Sequence, residues 1–101
     1  MNFQYRHPFS GEVARERLIA LGEYLTNRHK INVSWDDNRG TFSGRYLAIK
    51  FQGQLEVNDD AVEVSGKDPG LLLRKKATNY LKGKLEKYLD PDTPITELPR
   101  R

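Results

Sequence analysis

From Tyr46 to Val57 every large apolar side chain falls on an odd number: Leu47, Ile49, Phe51, Leu55 and Val57. Lys50, Gln52, Gln54 and Glu56 occupy even positions of the same stretch. A period of two means that one face of an extended chain is buried and the other is wet. No helix tolerates this pattern, so the centre of the chain must be a half-buried sheet. Whether it is one strand or two meeting near Gly53 stays open at this level.

The flanking segments repeat the theme. Phe3, Tyr5 and His7 alternate with polar residues until Pro8 ends the strand, because proline cannot donate to a ladder. Ile31, Val33 and Trp35 alternate with Asn32, Ser34 and Asp36. Asp36-Asp37-Asn38-Arg39-Gly40 is turn chemistry: Asn and Asp tolerate the left-handed region and Gly supplies positive φ. Strand character resumes at Thr41-Phe42-Ser43, and Gly44 marks a bulge or bend. Asn58-Asp59-Asp60 turns into a last strand, Ala61–Val64.

Two segments change period. From Ser10 to about Arg28, Ala14, Leu18, Leu21 and Leu25 share one helical face, with Val13 and Tyr24 at its edge. Ser10 is an N-cap, Glu12 suits the first turn, and Arg28, His29 and Lys30 suit the C-terminus. Ile19 sits among the charges of the opposite face and reads as an exposed interaction residue. After the breaker Gly66-Lys67-Asp68-Pro69-Gly70, a second helix runs from about Leu71 to Leu89. Its apolar stripe is Leu73, Ala77, Tyr80, Leu81, Leu85 and Tyr88.

The order is strand, helix, three or four strands, helix. Consecutive strands joined by short turns favour antiparallel pairing. The fold class is therefore α+β: an antiparallel β-sheet of 4–5 strands with two helices on one face, in the order β-α-β-β-β(-β)-α. Residues 1–90 make one domain. Pro91, Pro94 and Pro99 predict a disordered tail over residues 91–101.

Composition then limits function. There is no cysteine, which excludes disulfides, thiolate metal sites and cysteine nucleophiles. No apolar run approaches the roughly 20 residues of a membrane span, and the N-terminus lacks the apolar core of a signal peptide. A cytoplasmic location is expected. His7 and His29 are the only histidines and have no converging partners in sequence. The paired aspartates of the two turns lack calcium-loop spacing, and Gly66–Gly70 lacks a phosphate-loop signature. We expect no enzyme, no cofactor and no metal.

The charge is segregated. Residues 1–66 sum to −1, residues 67–89 to +5 and residues 90–101 to −1. Lys75, Lys76, Lys82, Lys84 and Lys87 project from the last helix and form the candidate partner-binding face, with Arg74 near its boundary. Such a face suits phosphates, anionic head groups or an acidic protein. It also serves simply to solubilise a helix, and lysine is a good helix former. Phe42, Arg45, Tyr46, Lys50 and Phe51 interleave aromatics with bases, but Phe51 shares the core parity and the recognition-motif aromatics of an RNA-binding sheet are missing.

Several of these features, in this order, resemble the polyhydroxyalkanoic acid system proteins, small proteins encoded near polyester-granule genes in bacteria. They are the opening strand ending in His7, then Ala14-Arg15-Glu16-Arg17-Leu18, Trp35, and Phe42-Ser43-Gly44. Gly53-Gln54-Leu55-Glu56-Val57, Asn58-Asp59-Asp60, Gly70-Leu71-Leu72-Leu73 and Tyr88-Leu89-Asp90 follow. The resemblance covers about residues 2–90. It implies a non-enzymatic accessory protein of polyhydroxyalkanoate metabolism, with a granule or an acidic granule-associated protein as partner. It brings no catalytic residues. The rival expectation is a nucleic-acid-binding module using the same lysines. Dimerisation stays open, since a half-covered sheet leaves edges to be managed.

Overall fold

The computed structural model describes residues 2–46, 49–67 and 71–101. Five strands and two α-helices follow one another as β1 (Asn2–Arg6), α1 (Gly11–His29), β2 (Asn32–Asp36), β3 (Arg39–Tyr46), β4 (Ile49–Val57), β5 (Ala61–Gly66) and α2 (Leu71–Tyr88). All strands pair antiparallel, in the spatial order β1-β5-β4-β3-β2. β1 thus closes one edge although it comes first in the chain, and the hairpin strand β2 forms the other edge. The expected α+β class and element order are what the structure has. Leu47 and residues 68–70 of the expected breaker lie outside the described residues, as do the side chains of Tyr46, Ile49 and Phe51.

The period of two places the rows. Trp35, Gly40, Leu55, Val64 and Phe3 are in register across all five strands and face the helices. The neighbouring row on the other face is Ser34, Thr41, Gln54, Ser65 and Asn2. Both helices cover the first face. Leu18, Val62, Leu85, Tyr88 and Leu89 are the largest fully buried side chains, and burying each such side chain stabilises by roughly 1.5–3 kcal/mol. β4 runs unbroken from Ile49 through Gly53 to Val57, but Tyr46 is the last residue of β3 and pairs with Ile49. The stretch read from Tyr46 to Val57 therefore belongs to two strands that meet before Ile49 and not near Gly53. Gly53 is required there: a Cβ would stand 2.4 Å from the backbone oxygen of Ser65.

The hairpin turn differs from the sequence reading. Asp37, at φ 55°, takes the left-handed position, and β3 begins before Gly40, at Arg39. Gly40 serves packing instead. A side chain there would meet the Trp35 ring at 3.1 Å, so its absence is what lets the indole lie flat on β3. α1 begins and ends as expected. Ser10 Oγ accepts from the Val13 amide, and Lys30, at φ 61°, donates its amide to the carbonyls of Leu25 and Thr26.

The segment read as a disordered tail is docked, and that expectation is corrected. After α2 it turns at Asp90, forms a short 3-10 turn over Ile95–Glu97 and buries Leu98 in the core. Tyr88 Oη donates to the Pro99 carbonyl at 2.5 Å. Asn27 Nδ2 donates to the Arg100 carbonyl at 2.8 Å, and the Arg100 guanidinium pairs with Glu23. The prolines limit the unfolded chain's freedom without preventing this docking, because the segment needs no ladder of amide donors.

Candidate functional site

The lysine face is built by the helical period of α2. Ala77, Leu81, Leu85 and Tyr88 point inwards and are buried, which turns Lys75, Lys76, Asn79, Lys82, Gly83, Glu86 and Lys87 to solvent. Lys75 and Lys82 lie two turns apart along one flank. Lys76 and Lys87 lie along the other, with Asn79 and Gly83 between them. None of these four lysines has a carboxylate within ion-pair distance among the described residues. Lys82 leans towards the sheet, with Nζ 5.4 Å from the Phe3 ring centroid. Beyond the neighbouring backbone of α2, no atom of the described residues comes within 4 Å of the place a Cβ on Gly83 would take, so the middle of the face is unobstructed by them.

Lys84 does not belong with them. Its Nζ lies 4.5 Å from the Tyr24 ring centroid and 5.6 Å from that of Tyr80, and it donates to Tyr24 Oη at 3.4 Å. The His29 ring meets Tyr24 edge-on at 5.6 Å and Tyr80 at 6.5 Å. Lys84 therefore joins the two helices as a cation between aromatic faces. Burial, and then the charges of Lys84 and Arg28, hold the His29 imidazole below its ordinary value.

Ile19 is half-buried. It lines a groove of about 280 Å³ between α1 and the edge strand β2, together with Gly22, Glu23, Thr26, Asn27, Val33 and Trp35. The large hydrophobic side chain that is exposed on α1 is Val13, at 41%.

His7 is buried, and both ring nitrogens are engaged by backbone. Nδ1 accepts from the Phe9 amide at 3.1 Å, so Nε2 carries the proton and donates to the Asn58 carbonyl at 2.8 Å. Beside it, Asp59 Oδ1 accepts from the Gly11 amide at 2.9 Å and so anchors the start of α1. The acidic turn thus ties the β1–α1 connection to the β4–β5 hairpin. No cluster of three or more metal-ligating side chains occurs among the described residues. Between the helices and the sheet, the space lined by Leu25, Ile31, Phe42, Tyr80 and Leu81 narrows to about 10 Å³, the scale of one water.

Arg17 is the functional-looking residue that sequence reasoning missed. It lies on the buried side of α1, 6% exposed, and its Nη1 donates to the carbonyls of Tyr88 and Asp90, both at 3.1 Å. Nη2 donates to the Thr93 carbonyl at 2.5 Å, and the Phe9 ring lies 4.4 Å from Cζ. A guanidinium gathers the orphan carbonyls at the end of α2 here. The one signal available in the sequence was its place beside Leu18 in the apolar register of α1.

On the open face of the sheet the described side chains are polar apart from Ala61, running from Arg45 and Lys50 through the Ser, Thr, Asn and Gln rows to Glu56 and Glu63. None of them is aromatic, so a stacking platform for bases is not formed by the described residues.

A two-layer α+β domain with a lysine-bearing helix as its outer element is the class these features define. The chain belongs to the family described as putative polyhydroxyalkanoic acid system protein, whose pattern matches residues 1–92. The family name links it to the polyhydroxyalkanoate system. Comparison with curated proteins and with solved structures returned no match. No helix among the described residues is long and apolar enough to cross a membrane.

Proposed function

We propose that this chain is a non-enzymatic accessory protein of the polyhydroxyalkanoate system that docks on an acidic granule-associated protein through Lys75, Lys76, Lys82 and Lys87. The observation that carries the reading is four ammonium groups on one exposed helix, unpaired among the described residues, in a segment of net charge +5. A polyester itself bears no charge, so these lysines would select an anionic component of the granule coat and not the polymer. Lys84, held between two tyrosines, is left out of this surface.

The test is cosedimentation with isolated polyester granules, intact and stripped of protein. Reversing Lys76, Lys82 and Lys87 to Glu should release the protein from intact granules, and stripping should do the same to the wild type. Equal binding by the reversed variant rejects the reading. Binding to nucleic acid with a steep salt dependence, from counterion release, would replace it with the rival expectation.

A further inference from the structure

The two sheet edges are not alike. β1 is followed by Pro8, ends in Arg6 and has Lys82 leaning over Phe3; charge and proline are the usual guards against strand addition. β2 reads Asn-Val-Ser-Trp-Asp and has neither proline nor lysine within it. The Asn38 carbonyl bonds across to the Val57 amide on β4. By the alternation of an antiparallel ladder, Arg39 and Thr41 then bond towards Asp36 and Ser34 of β2. The backbone groups of Val33 and Trp35 are left facing outwards along the free edge.

This edge is complementary to itself. Laid antiparallel on a copy with the two-fold axis at Ser34, Val33 opposes Trp35 and Asn32 opposes Asp36. Just beyond, Lys30 comes level with the Asp37 end of the other strand, so basic start meets acidic end twice and no like charges face each other. The outward backbone groups of Val33 and Trp35 are the ones this register pairs. Above the strand, α1 is centred on the same axis: a Cβ on Gly22 would lie 3.1 Å from the Val33 side chain and 3.6 Å from the Trp35 indole. The groove lined by Ile19, Gly22, Val33 and Trp35 would therefore meet its own copy.

We infer that a second copy of this chain pairs with the free edge of β2, giving a two-fold dimer with a continuous ten-stranded sheet and the two Ile19 grooves closed against each other. This surface is separate from the lysine face, so it stands or falls independently of granule docking.

The chain's lack of cysteine supplies a direct test. Ser34 is exposed on the open face, and across the axis it would oppose itself in a non-hydrogen-bonded pair, where Cα atoms approach to about 4.5 Å, within disulfide reach. Under mild oxidation Ser34→Cys should crosslink rapidly into a covalent dimer, while Thr41→Cys, exposed on the neighbouring strand, should not. Light scattering on the unmodified chain at about 100 μM should give twice the monomer mass, and Ser34→Lys, which sets two ammonium groups face to face, should weaken association by roughly tenfold. A monomeric wild type at that concentration overturns the inference. So does a dimer indifferent to Ser34→Lys, or equal crosslinking of the two cysteine variants.

Discussion

The guanidinium of Arg17 lies 3.1 Å from the backbone carbonyl of Tyr88, although 71 residues separate the two in sequence. One side chain from the first helix thereby closes the end of the last, and the same group reaches Asp90 and Thr93 as the chain turns back. The docked C-terminal segment, the two helices and the β1–α1 connection, through Phe9, all meet at this residue.

Replacing Arg17 tests that junction. Arg17→Met keeps much of the apolar stem but leaves three carbonyls without their donor, and each buried acceptor so stranded costs about 1–3 kcal/mol. Allowing for water reaching the end of α2, urea denaturation should show a loss of about 2–4 kcal/mol. Arg17→Lys should recover only part of it, since one ammonium cannot span the three carbonyls.

The C-terminal segment should detach in steps. Tyr88→Phe removes the donor to Pro99 and should cost about 1 kcal/mol; Leu98→Ala opens the buried site beneath it and should cost about 2 kcal/mol or more. Hydrogen exchange over residues 95–101 should rise in both variants before that of β4 and β5. The Tyr88 phenol is pushed up to about 12, first by burial. A phenol whose folded value lies above its unfolded one favours the native state below pH 10, and that contribution fades as pH rises from 10 towards 12. Tyr88→Phe should remove this alkaline dependence.

Gly83 gives a prediction of opposite sign. It lies in the interior of α2 with open space where a side chain would be. Gly83→Ala should stabilise the protein by about 1 kcal/mol, read as a higher urea midpoint, because alanine loses less backbone freedom in a helix. Granule binding through the lysines should be unchanged.

His29 should make the protein acid-sensitive. Its folded pKa lies below its unfolded value, so the unfolded chain binds the proton first as pH falls. The stabilisation from neutral His29 is full above the unfolded value of about 6.5 and is lost as pH drops through the folded value. The fall in Tm between pH 7.5 and about pH 5 should be smaller in His29→Gln than in wild type. In Lys84→Met, with one cause of the shift removed, NMR titration should show the imidazole pKa moving up.

Most of the fold was legible because periodicity is local. Alternation fixed which side chains of β1 to β5 face the helices, and the 3.6-residue stripes placed Leu18 and Leu85 in the core. The lysines Lys75, Lys76, Lys82 and Lys87 were legible as a face for the same reason. Gly40 was misread because turn chemistry and a ring-packing requirement leave the same residue in the sequence. Lys84 sits at the rim of its stripe, where the helical period leaves a side chain free to go either way. The position of α1 decided that, by bringing Tyr24 and His29 alongside. Ile19 is half-buried and lines the groove that α1 shares with Val33 and Trp35 of β2, which the helical period alone does not reveal.

The sequence alone determined the two periods, the order of elements and the concentration of positive charge in one helix, since each depends on neighbours a few residues apart. Only the tertiary structure decided that Arg17 is interior, that Leu98 is core and that β2 is an unguarded edge. Those properties belong to pairs of segments brought together across the chain. A short proline-rich stretch reads as solvent-bound until something distant offers it an apolar site and donors for its carbonyls, and here Tyr88 and Arg17 supply those donors.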